Sequence, residues 1–201
     1  MTDVLTFDEA KQAVGKGQLD SEKSALLQTF LSGVTGVLED RYGPIVYGTI
    51  TAELHSGGRD HIYLNYRPVQ SVVQVVEYDN LTAGTLAAES NTSKTASDYI
   101  LNAENGRLTR RNSNARFCFP AGVNNVSVTY VAGRFAAGTI DPQFKMAASI
   151  MLKNAWSAYE NSVLSQDGYD VPQARFPTMA VPKFMQEALA RYQQSGSGVG
   201  D

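Results

Sequence analysis

Two histidines, His55 and His61, are the side chains in this chain best suited to proton transfer or metal ligation, and Asp60 adjoins the second. A zinc centre needs three or four such ligands in one place. The spacing of these three residues is generic, and ordinary polar residues at a turn beside a strand explain them more simply. The sequence has no HExxH, no GxSxG and no Walker A motif. Serines are plentiful, but none comes with a well-placed histidine to act as its base. The one cysteine, Cys118, rules out an internal disulfide and any multi-cysteine zinc site. It lies between Phe117 and Phe119, where a small buried apolar residue is the simplest reading. No catalytic, cofactor-binding or metal-binding residue is expected, and no cofactor.

Charge gives the second candidate. From Asn105 to Ile140 there are five basic residues, Arg107, Arg110, Arg111, Arg116 and Arg134, and no acidic one. On one face they would form a basic patch for an acidic protein surface or a DNA backbone. Spread over two faces they would be the solvated side of a hairpin. Few aromatics are interleaved with them, so stacking on single-stranded nucleic acid has little support. The chain as a whole has a formal net charge of −3, unlike a generic nucleic-acid binder.

The elements that position these residues change period along the chain. Thr6 and Glu9 form a capping box for a short helix that ends near Val14. Asp20 caps a longer helix whose apolar face holds Leu26, Leu27, Phe30, Leu31, Val34, Val37 and Leu38. Gly33 and Gly36 on that helix would allow close approach of a neighbour, or are simply imperfections. Gly43-Pro44 stops it. From Ile45 the pattern alternates: Val46, Gly48, Ile50, Ala52 and Leu54 share one strand face. Ile62–Leu64 and the valine-rich run to Tyr78 read as further strands, and residues 82–97 as a long exposed loop. Asn105-Gly106 is a strong hairpin signal, and Val126, Val128 and Tyr130 alternate in a last strand.

Asp141-Pro142 opens a helix that includes Trp156, expected to anchor the core against the first long helix. Pro172 and Pro177 interrupt the segment that follows. A short last helix starts at Pro182, with Phe184, Ala188, Leu189 and Tyr192 on one side. Too short to stand alone, it needs a surface to lie on, either its own bundle or a partner. Residues 195–201, rich in glycine, should be a disordered tail.

With 201 residues, 43% of them hydrophobic and 18% charged, the chain is globular in composition. The opening MTDVLTFDEA lacks a basic and an apolar region, so no secretory signal is expected, and no run reads as a membrane span. The fold expected is α+β: a small α-helical bundle with an inserted antiparallel β module. Residues 1–44 give N-terminal helices, 45–134 the β module, and 135–194 the helices that complete the bundle.

The order of these features carries a resemblance. The pair YILNAENGRL and VSVTYVAG resembles tailed-phage head–tail adaptor (connector) proteins. So do the flanking LLQTFLSGVTGVLEDRYG, RPVQSVVQVVEY and DPQFKMAASIMLKNAW, in order over residues 20–192. The resemblance implies a structural virion protein at the head–tail junction, assembled in the host cytoplasm. It implies a ring of copies of this chain, typically dodecameric, under the portal protein. Such a ring extends the DNA channel, lets DNA pass without specific binding, and meets the next neck or tail protein. The resemblance also places the portal contact in residues 166–194. There Tyr169, Arg175, Phe176, Phe184 and Tyr192 are the contact candidates, being residue types enriched at binding hot spots or on the apolar side of the last helix. The competing reading is a stand-alone β-rich module that binds glycan or nucleic acid.

Overall fold

The computed structural model describes residues 3–79, 82–88, 97–113, 115–166 and 181–193. The fold is α+β, with four α-helices and two antiparallel sheets among the described residues. The chain divides into two compact units, one of residues 1–45 with 137–201 and one of residues 46–136.

The helical unit comprises α1 (Phe7–Ala13), α2 (Ser21–Tyr42), α3 (Pro142–Gln166), α4 (Lys183–Ala188) and a single 3-10 turn at Ala190–Tyr192. The Thr6 hydroxyl accepts from the Glu9 N–H while the Glu9 carboxylate accepts from the Thr6 N–H, so the capping box forms as read. Asp20 accepts from the Lys23 N–H and caps α2. Leu27, Leu31, Val34 and Leu38 are buried along one stripe of α2. Facing them from α3 are Phe144, Ala147, Ala148, Met151, Leu152 and Trp156, all buried. Trp156 meets Phe30 edge-on at 6.2 Å, and Tyr42 meets Phe144 edge-on at 5.7 Å. Gly36 does not bring a neighbour close, since a Cβ on it would meet nothing within 4 Å, and Gly33 is exposed. Val37, expected on the apolar face, is turned to the solvent side.

The last helix turns Leu189 inward as expected but not Phe184. Val181, Met185 and Leu189, four residues apart, are its buried positions, and Phe184 is 58% exposed. The last helix therefore lies on its own bundle, which gives a six-residue element the surface it needs.

The β unit holds two four-stranded sheets' worth of chain, paired antiparallel throughout. One sheet has the order β1 (Gly48–His55), β8 (Val126–Ala132), β3 (Val69–Asp79), β4 (Thr82–Thr85). The other runs β2 (His61–Tyr63), β6 (Arg107–Asn112), β5 (Tyr99–Asn102), with β7 (Ala115–Arg116) also paired to β6. β4 lies inside the stretch read as loop, and all four of its residues are exposed. Strand β8 alternates strictly, with Val126, Val128, Tyr130 and Ala132 inward. These join Ile62, Leu64, Val69, Val75, Leu108 and Phe119 in the core of the unit. The β5–β6 turn closes through Gly106 at φ 64°, where Arg67 side-chain carbons lie within 2.9 Å of where a Cβ would sit.

Strand β1 does not keep the alternation read from its sequence. Its pairing with β8 shifts between Ile50 and Glu53, and Ala52 takes φ 53°. One extra residue in the strand reverses the parity of every position after it. Ile50 faces inward, but beyond the bulge Glu53 and His55 do so instead, and Leu54 is 53% exposed.

Candidate functional site

Three clusters of buried polar groups stand out among the described residues of the β unit, and strand register builds the first two. The first follows from the bulge. Glu53, turned inward, accepts from the Tyr130 hydroxyl at 2.7 Å and from the Asn65 N–H at 3.0 Å, and it pairs with His55 Nε2 at 2.7 Å. The Tyr130 hydroxyl in turn accepts from the Tyr66 N–H at 3.2 Å. Burial, with the Glu53 carboxylate beside it, raises the Tyr130 phenol well above its ordinary value. The cluster ties the 64–66 segment to the first sheet and satisfies a carboxylate that would otherwise be costly inside.

The second cluster joins the two sheets. Arg110 on β6 donates to both carboxylate oxygens of Glu77 on β3, at 2.7 and 3.1 Å. It also donates to the backbone carbonyls of Asp98, at 3.0 Å, and Arg111. The Phe117 ring lies 5.1 Å from its guanidinium carbon. Both Arg110 and Glu77 are 8% exposed. This bidentate pair, with the remaining donors directed at carbonyls, is the geometry a buried ion pair requires.

The third cluster is shallower. Asp60 accepts from Arg116 Nε at 2.6 Å and lies 2.7 Å from His61 Nδ1. The His61 imidazole and the Arg116 guanidinium hold the Asp60 carboxyl down at about 2. Beside it an open groove of about 460 Å³ is lined by His55, Arg59, His61 and Tyr63. His55 and His61 thus each pair with a neighbouring carboxylate. Among the described residues no group of three or more His, Cys, Asp or Glu side chains is placed to hold a metal.

These contacts decide where the five arginines stand. Alternation along β6 turns Arg110 inward with Leu108 and puts Arg107 and Arg111 on the other side. Arg110 is committed to Glu77, Arg116 to Asp60, and Arg111 donates to Ser97 Oγ. Arg107 and Arg134 are half-buried. Register brings Arg111 opposite Arg116, but it does not gather all five on one face.

Cys118 is exposed, contrary to the reading from its neighbours. It lies in the irregular segment after β7, where Phe119 turns into the core at 1% exposure and Phe117 lies outside at 46%. Without strand alternation, two flanking aromatics say nothing about the residue between them.

Of the five residues read as contacts in 166–194, Tyr169, Arg175 and Phe176 lie outside the described residues. Phe184 is exposed. The Tyr192 hydroxyl donates to Asp141 Oδ2 at 2.7 Å, and its ring packs on Phe144 at 5.0 Å. Asp141 also caps α3 through the Gln143 N–H at 2.8 Å and accepts from Arg191 at 2.9 Å. The Tyr192 hydroxyl and these other donors hold its carboxyl below the usual range. Tyr192 therefore fastens the 3-10 turn to the start of α3. Sequence alone does not point to Glu53 or Glu77 and reads Tyr130 only as a residue of an alternating strand. For Glu77 a signal exists, a lone carboxylate in the valine run VVQVVEY with an arginine-rich strand to answer it. For Glu53 the bulge hides it.

No protein-family model matches the chain, and no curated protein matches it. Among solved structures it is similar to a chain in the neck of an empty gene transfer agent (GTA) particle, computed with C6 symmetry. The match has a TM-score of 0.57 at 18% identity and covers 98% of this chain and 93% of that one. At that identity it establishes a shared fold.

Proposed function

We propose that the chain is a structural protein of a phage-like neck. In this reading it is a head–tail adaptor that forms a ring under the portal, extends the DNA channel and gives the next neck or tail protein its seat. The observation that carries the reading is the extent of the fold likeness: it runs through both the helical and the β unit to a chain of a particle neck. A ring of six copies or of a multiple, twelve included, obeys the symmetry with which that neck was computed. The role is binding and geometry, with no bond made or broken. The buried polar clusters support this, since each satisfies its own members and spends its charges on holding strands together. A formal net charge of −3 suits a channel through which DNA must slide without being gripped.

Docking on the portal is assigned to residues 166–194, with Phe184 as the exposed aromatic among those described. The test is co-sedimentation with the portal of the same particle. The parent chain should pellet with it. Phe184→Ala, which removes an exposed ring and leaves Met185 and Leu189 in place, should weaken binding by roughly 30-fold, as loss of a hot-spot aromatic does. A parent chain that stays in the supernatant overturns the function. Undiminished binding by the variant overturns the docking site alone.

A further inference from the structure

The first sheet of the β unit ends in two strands that differ from the edges of the second. With the order β1-β8-β3-β4, its outer strands are β1 and β4, and among the described residues neither has a further strand beside it. Edge strands of soluble proteins are normally blunted by charge, proline or cover. Neither edge here carries an exposed charge. On β1 the exposed residues are Thr49, Thr51, Ala52 and Leu54, while Glu53 and His55 turn inward. On β4 they are Thr82, Ala83, Gly84 and Thr85. The second sheet, by contrast, has a three-residue edge in β2 and an edge in β5 that is bridged by Ala88.

We propose that β4 of one copy pairs with β1 of the next, so that the first sheet continues from subunit to subunit. The proposal rests on the ring reading above and names the surface that closes the ring. Strand direction argues for a second copy as the occupant. The three pairings in the sheet are all antiparallel, so β1 and β3 run one way and β8 and β4 the other. Two copies related by rotation about an axis along the strands would therefore bring β4 against an antiparallel β1. That is a heterologous contact using two different patches, the kind that closes into rings. A two-fold contact would instead need β1 on β1 or β4 on β4.

The dimensions are reasonable. Four strands at about 4.8 Å spacing span roughly 19 Å, so twelve copies close a belt no less than about 73 Å across and six copies one of about 37 Å. The outward-facing N–H and C=O groups of each edge strand supply the affinity, as when a peptide adds to a sheet edge. Register carried across β8 and β3 sets Gly84 and Thr85 level with His55 and Leu54, so the contact is centred on the end of β1 beyond the bulge at Ala52.

The test uses the full chain, alone and on its portal. In a Cys118→Ser background, Leu54→Cys and Thr85→Cys, exposed positions that the register sets level with each other, are combined. Within one chain these positions are three strand spacings apart, about 14 Å. A bis-maleimide shorter than that, yet long enough to tolerate a register slip of a residue, joins only neighbouring copies. A covalent ladder rising to the ring size seen for the parent by electron microscopy is expected. Each single-cysteine variant should stop at dimers. In parallel, Gly84→Lys places a charge on β4 where a Cβ meets nothing within 4 Å. It should leave the thermal midpoint unchanged and abolish the ring. Parent rings that give no ladder and that survive Gly84→Lys would overturn edge pairing while leaving the ring reading intact. A parent chain that forms no ring on the portal overturns both.

Discussion

At the scale of single residues, the β unit depends on carboxylates placed where strand register leaves them no water. Arg110 is the sharpest case, because Glu77 has no other cation within reach of both its oxygens among the contacts described. Removing one partner of a buried pair leaves the other charge uncompensated. Arg110→Ala should therefore destabilise the protein by about 3–5 kcal/mol in chemical denaturation, and an unchanged midpoint would show the pair to be dispensable. Asp60 makes a pH-dependent prediction. Its carboxyl titrates near 2 when folded against an ordinary 3.8, a depressed value. Its contribution is then present above about pH 4 and disappears as pH falls toward 2. In acid titrations followed by circular dichroism, Asp60→Asn should be less stable than the parent at pH 5 and equal to it near pH 2. A gap that persists at pH 2 would place the effect elsewhere. Cys118, being exposed, should react fully with a thiol reagent in the folded protein.

At the scale of elements, the helical ends were legible in the sequence and the strand faces only partly so. Caps are local chemistry: Thr6 with Glu9, Asp20 and Asp141-Pro142 each mark a helix start within a residue or two. Strand β8 was equally readable, since nothing interrupts its period of two. β1 was not, because one bulged residue reverses the pattern after it and leaves no mark in composition. β4 escaped notice for a related reason. An edge strand exposed on every residue has no apolar face to show, and Thr-Ala-Gly-Thr reads as loop. The burial of Met185 in place of Phe184 is a choice between adjacent faces of a six-residue helix, which periodicity over so short a span cannot make. Trp156, read as an anchor, is 2% exposed and clusters with Phe30 and Tyr159. Trp156→Ala should cost about 3–5 kcal/mol, seen as a lowered thermal midpoint; a melt matching the parent would contradict its role.

At the scale of the whole molecule, the helical unit is closed on itself through α4 and Tyr192, whereas the first sheet of the β unit ends, among the described residues, in strands with no further strand beside them. A monomer with a stable core and an unblunted sheet edge is suited to assembly by repetition. The sequence points to the proposed neck role only through the order of its features. The measurement that bears most directly on this role is electron microscopy of the purified chain mixed with the portal of its own particle. A ring coaxial with the portal is expected, with density for both units in every copy and an open central channel. Portal particles that remain bare, with the chain dispersed as monomers at concentrations well above those of an assembling neck, would contradict the adaptor role.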